Sequence, residues 1–175
     1  MTSPSRPLPS ISPMVAIPSV APPEVIHPNP VWLQLRTEAA ESSEVVAHIS
    51  NIEFVRWIDR AAECALSAAG WSYHDLLKSN LMFFVARHEI DYRQEVLADE
   101  DLLIATWVRD VRRVKSWRDT VIWRTTSSGP EVVCTASTLW VQVDLTTRRP
   151  RRMLADMIQR LQPLQHDAPP WRDRS

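Results

Sequence analysis

Between Ser50 and Gly70 the chain carries one long helical pattern whose buried stripe is built largely from alanine. Phe54, Ile58, Ala61, Ala65 and Ala68 recur at three- and four-residue steps, with Val55, Ala62 and Ala69 beside them. Glu53, Arg56, Arg60 and Glu63 fall on another face at spacings suited to ion pairs. Ser50 followed by Glu53 has capping-box spacing, and Gly70 is a natural stop. Alanine lets a neighbouring backbone approach closely. The pattern therefore predicts a helix wrapped by a curved sheet, not one in a bundle whose core is filled by leucine.

The rest of the chain supplies that sheet. Residues 31–38, VWLQLRTE, alternate Val31, Leu33 and Leu35 with longer or polar partners and read as a first strand. After a short helical stretch around Ser72 to Lys78, strand patterns cover 81–93, 101–111, 116–126 and 131–145. SSGP at 127–130 reads as a hairpin turn and the segment around 110–116 as a polar reversal, so the strands they join are antiparallel neighbours. Residues 153–161 close the unit as an amphipathic helix. This order predicts an α+β fold, a long central helix wrapped by a five-stranded antiparallel sheet. Eight tryptophans against two tyrosines, several at strand positions, agree with a substantial β core.

Composition narrows the chemistry. The two glycines, Gly70 and Gly129, leave nowhere to build a P-loop, a dinucleotide fingerprint or a G-x-S-x-G elbow. No H-E-x-x-H or C-x-x-C occurs, so neither a metal nor a cofactor is expected. A net charge of -1 gives no reason to expect nucleic acid. No apolar run approaches the ~18 residues of a membrane span. Cys64 and Cys134 lie in apolar segments far apart and read as buried thiols, in keeping with a soluble cytoplasmic protein. Nine of the fourteen prolines fall within residues 1–30, an arm expected either to pack on something else or to stay mobile, as a leader or as a ligand for a partner. The expected organisation is this arm, a folded unit over 31–161, and a polar tail over 162–175.

Glu44 to Ala62, EVVAHISNIEFVRWIDRAA, resembles the opening motif of the hotdog-fold acyl-CoA thioesterases of the four-hydroxybenzoyl-CoA thioesterase-like family. His48, Ile49, Asn51, Phe54, Val55, Arg56 and Trp57 stand in register with that motif. Ile90 to Val108 resembles the family's following strand pair through Tyr92, Val96, Leu103 and Thr106, and RRPRRM resembles its R-x-P stretch. Two positions depart from the pattern: Glu44 stands where the family has Asp, and Ala47 where it has Gly. The resemblance implies a hotdog fold, hydrolysis of an acyl-CoA or carrier-bound acyl thioester, and a homodimer or dimer of dimers whose sheets join. The alternative it leaves open is a hotdog protein that binds an acyl group or a partner without hydrolysis.

By that resemblance the backbone of Asn51, with Ile52 beside it, offers donors for an oxyanion at the helix start, where the dipole favours negative charge. Glu44 is then the general base or nucleophile, against a plain reading as a loop acid in EAAESSE. His48 is either a base or a residue packed beside the helix cap. For substrate binding, Lys115 and Arg118 belong to a basic cluster with Arg112 and Arg113 suited to phosphates. Trp107 is a candidate for lining the acyl pocket, or plain core.

Overall fold

A computed structural model describes residues 7–43 and 45–172. Its strands are β1 (Ser12–Pro13), β2 (Val31–Arg36), β3 (Leu81–Tyr92), β4 (Asp101–Arg112), β5 (Lys115–Thr126) and β6 (Gly129–Asp144). They form one antiparallel sheet in the order β1-β2-β4-β5-β6-β3. The long helix α1 (Asn51–Ala68) lies on one face, joined by α2 (Tyr73–Lys78) and α3 (Ala155–Leu161). This is the hotdog arrangement, with one correction: the sheet has six strands, not five. Ser12 and Pro13 of the proline-rich arm pair with Gln34 and Leu33, at an edge where a missing proline N–H does no harm.

The reversal at 113–114 and the turn at 127–128 make β4, β5 and β6 neighbours, as their short links require. β3 does not pair with β4. It lies on the far side of β6, Leu81 opposite Asp144 and Tyr92 opposite Cys134, and its other edge is open among the described residues. The link after β3 then crosses the start of α1, where Ile49 N–H donates to Val96 O at 2.7 Å.

On the inner face Phe54, Trp57, Ile58 and Ala61 of α1 pack against Leu33, Leu102, Ile104, Ile122 and Ala136 of the sheet. Ala61 and Ala65 are buried where the sheet comes close, while Ala68 is exposed, so the stripe ends a turn early. Ser50 caps the helix, but not as a capping box. Its Oγ accepts from Ile52 N, and the fully buried Glu53 carboxylate takes Arg56 at 2.8 Å instead. Past the helix Gly70 adopts φ +83°, which lets Trp71 N–H return to Leu66 O. Leu66, Leu76, Leu81, Met153 and Met157 close this end.

The outer face is covered by the two ends of the chain. Trp107, Val121 and Trp123 of the sheet meet Val25 from the arm and Leu164 and Trp171 from the tail. Where β2 no longer flanks β4, Leu164 N–H and His166 N–H donate to Val108 O and Arg109 O. His27 Nε2 reaches Gln162 O at 2.9 Å, tying arm to tail. Among the described residues no helix is long and apolar enough to cross a membrane.

Candidate active site

The approach to α1 is held almost wholly by backbone hydrogen bonds. Ser43 N–H donates to His48 O at 2.8 Å, His48 N–H to Val46 O, and Ser50 N–H to Glu41 O. Two of the first helical amides are occupied: Glu53 N–H by Ser50 O at 2.9 Å, and Ile52 N–H by Ser50 Oγ at a long 3.4 Å. The amide of Asn51 makes no hydrogen bond among the described residues, and Asn51 is exposed. A free donor at the positive end of an 18-residue helix is an anion site in waiting. Beside it the side chain of Ile52 is 67% exposed, and Val45 and Val46 are exposed as well. Tyr92 Oη donates to Asn51 O at 3.3 Å and its ring meets the edge of Phe54, which fixes the first turn against the end of β3. Glu44 lies outside the described residues; its neighbour Ser43 is the residue tied to His48.

Because β3 runs antiparallel alongside α1, a titratable pair bridges the two elements further along the helix. His88 Nε2 of β3 lies 3.9 Å from Asp59 Oδ1 of α1, and His88 Nδ1 bonds Thr138 Oγ1 at 3.0 Å. Burial pushes the Asp59 carboxyl above the usual carboxylate range, with the His88 charge acting against it. Asp59 follows Ile52 by seven residues, hence on the same helix face about 10 Å further on. In the sequence both Glu53 and Asp59 stand three residues from Arg56 as possible ion-pair partners, and Arg56 pairs with Glu53, leaving Asp59 to His88. Its place two turns along the Ile52 face was the signal available.

The other sequence candidates lie elsewhere. Side chains alternate along β5, so Lys115 is exposed on the outer side near Asp110 and Trp117, while Arg118 turns inward and is 6% exposed. The single basic patch expected from Arg112, Arg113, Lys115 and Arg118 is therefore split between two faces. Trp107 packs edge-on against Trp171 on the outer layer, 6.4 Å between ring centres. His48, Asn51 and Ile52 thus come together at the start of α1, and Lys115, Arg118 and Trp107 do not join them. Among the described residues no cluster of three or more His, Cys, Asp or Glu is arranged to hold a metal ion.

Comparisons with known proteins agree with this architecture. The fold is similar to the oleoyl thioesterase (putative) of Lactobacillus plantarum, with a TM-score of 0.70 and 19% identity over 78% of this chain and 52% of that one. The present chain thus spans about half the length of that protein. It is similar over 74% of its length to the 4-hydroxybenzoyl CoA thioesterase of Pseudomonas, with a TM-score of 0.68, 19% identity and 97% of that chain covered. For the 1,4-dihydroxy-2-naphthoyl-CoA thioesterase of Synechocystis the TM-score is 0.67, with 15% identity over 77% of this chain and 97% of the other. No curated protein matches the sequence. The family profile described as thioesterase-like superfamily matches residues 41–161, which take in α1 and the four long strands. The chain belongs to the thioesterase-like superfamily.

Proposed function

We propose that this protein hydrolyses an acyl thioester, carried by coenzyme A or by a carrier protein, at the start of α1. The observation that carries the reading is the exposed, unpartnered amide of Asn51 at the positive end of the longest helix. Water adds to the thioester carbonyl, the oxygen that gains negative charge is met by that amide, and the thiolate leaves. One such donor is worth on the order of 3 kcal/mol in the transition state. The contact of Ile52 N–H with Ser50 Oγ is long, 3.4 Å, and rotation of the Ser50 side chain would release that amide to the same oxygen.

Two carboxylates are candidates to take the proton of the water. Glu44, by its place in the motif, is the first. Asp59 is the second, because burial raises its affinity for a proton, with the His88 charge acting against it, and the side chain lies on the Ile52 face of the helix. The open edge of β3, with Phe84 and Val85 exposed on it, is a surface suited to pairing with the same strand of a second copy. The two free thiols suit a reducing compartment such as the cytoplasm.

The decisive variant is Asn51→Pro. Proline removes the amide hydrogen yet is tolerated at the first helical position, and Ser50, at φ -64° and ψ 140°, already has the backbone a following proline demands. Turnover of a panel of acyl-CoAs should fall about 100-fold or more with melting temperature preserved. Unchanged turnover would remove the amide from the mechanism. Binding without turnover in the wild-type protein would favour an acyl-binding role instead. Glu44→Gln and Asp59→Asn, compared in parallel, assign the base.

A further inference from the structure

Some 20 Å along α1 from Asn51, the inner face of the sheet holds a cation without a carboxylate. Arg118 is 6% exposed, and its one hydrogen bond among the described residues is from Nη1 to the neutral Thr106 Oγ1 at 3.3 Å. Its chain neighbour Asp119 attracts it only through space: the carboxylate points to the opposite face, where it accepts from Ser137 Oγ at 2.7 Å and lies beside Arg109. A buried charge with no directly paired carboxylate is costly, and natural proteins keep such a group where something else supplies the opposite charge.

Arg118 lines two adjoining cavities. One, of about 230 Å³, is bounded by Ala65, Ala68, Thr106, Val108 and Leu161, with His27 and Gln162 closing it from outside. The other is lined mainly by apolar side chains, Ala62, Leu66, Phe83 and Trp140 among them. The larger cavity has no acidic side chain in its wall, and in the smaller the one acid, Glu63, is held by Arg60. Arg160 at the rim is engaged by Asp156 at 3.0 Å. His27 accepts from Asn29 N–H at Nδ1 and turns Nε2 to Gln162 O, a neutral arrangement that brings no negative charge. What remains is one guanidinium with no paired carboxylate, facing a pocket whose apolar side is Ala65, Ala68, Val108 and Leu161 and whose polar side is uncharged apart from the engaged Arg160.

We propose that this pocket binds a short-chain organic monocarboxylate, anchored by the Arg118 guanidinium with its hydrocarbon part against the small and aliphatic side chains of α1 and α3. A planar carboxylate matches the fork of a guanidinium in two parallel hydrogen bonds, and a single negative charge balances a single free positive one. A phosphate dianion would bring a surplus negative charge beside a single unpaired cation and is disfavoured by the same argument. This inference does not rest on the proposed hydrolysis.

Isothermal titration of the full chain with sodium hexanoate, hexanamide and sodium sulfate tests it. Hexanoate is expected to bind one per chain, at least about tenfold more tightly than its neutral isostere hexanamide, and sulfate more weakly than either. Arg118→Met should lose hexanoate binding by a similar factor, whereas Asn51→Pro should leave it intact. Equal affinity for hexanamide, stronger binding of sulfate, an unchanged Arg118→Met, loss in Asn51→Pro, or no heat at millimolar hexanoate would each overturn the proposal. The comparison of hexanoate with hexanamide on the wild-type chain stands even if Arg118→Met fails to fold.

Discussion

The two faces of the sheet are covered by unlike materials, and their side chains differ accordingly. On the inner face a regular helix satisfies its own backbone, so the contact is aliphatic with alanine at its closest approach: Ile58 and Ala61 against Leu102, Ile104 and Ile122. The outer face is covered by a proline-rich arm and an irregular tail, which bring few hydrogen bonds of their own. There the area is supplied by tryptophans, with Trp32, Trp107, Trp123 and Trp171 in one cluster. The same covering traps charge. Arg109 and Asp119, 1% and 0% exposed, stand 3.7 Å apart with Arg109 Nε and Nη1 and Asp119 Oδ2 unbonded among the described residues. Burial lowers the affinity of Arg109 for its proton and pushes the Asp119 carboxyl up to about 6.

If the inner face is the rigid one, Ile122→Ala should have the largest effect, lowering unfolding free energy by about 3 kcal/mol in urea denaturation, because a fully buried side chain leaves a cavity among well-packed neighbours. Trp171→Ala tests the outer cover. A loss of about 2 kcal/mol would show that the tail is part of the fold, whereas a loss below about 0.5 kcal/mol would make it a loose drape.

Asp119 gives the comparison a pH dependence. Its ordinary value of 3.8 in the unfolded chain against about 6 in the folded one means that the native state binds the extra proton between these limits. Its contribution to stability is thus greatest below about pH 4, falls as pH rises, and is lost above about pH 6, a change on the order of 3 kcal/mol. The stability difference between wild type and Asp119→Asn, followed by denaturation across this range, should shift accordingly. A difference independent of pH would show a hydrated carboxylate and an open outer layer. The smallest effect belongs to Ser50→Ala, about 1 kcal/mol or less, since the cap it removes is a single long bond.

Much of the inner architecture was legible in the chain. The alanine stripe from Ala61 to Ala65, the cap at Ser50 and the stop at Gly70 are local signals, and the short links around β5 leave little freedom in how β4, β5 and β6 pair. The helix start at Asn51 was legible for the same reason, because an N-cap and the amides after it are set within a few residues. His88 beside Asp59 was not legible: they are 29 positions apart, and only the placement of β3 beyond β6 brings them together. The expected patch of Lys115 with Arg118 failed through strand alternation, which sends residues three apart to opposite faces.

The sequence by itself determined the elements, since period, caps and turns act over a few residues, and with them the free amide at the start of α1. Only the tertiary structure decided what surrounds each element: which edge of the sheet stays open, that the proline arm lends a sixth strand and covers the tryptophans, and that Arg118 is enclosed with no carboxylate paired to it. Enclosure and charge balance are sums over contacts from distant parts of the chain, and no local pattern carries them.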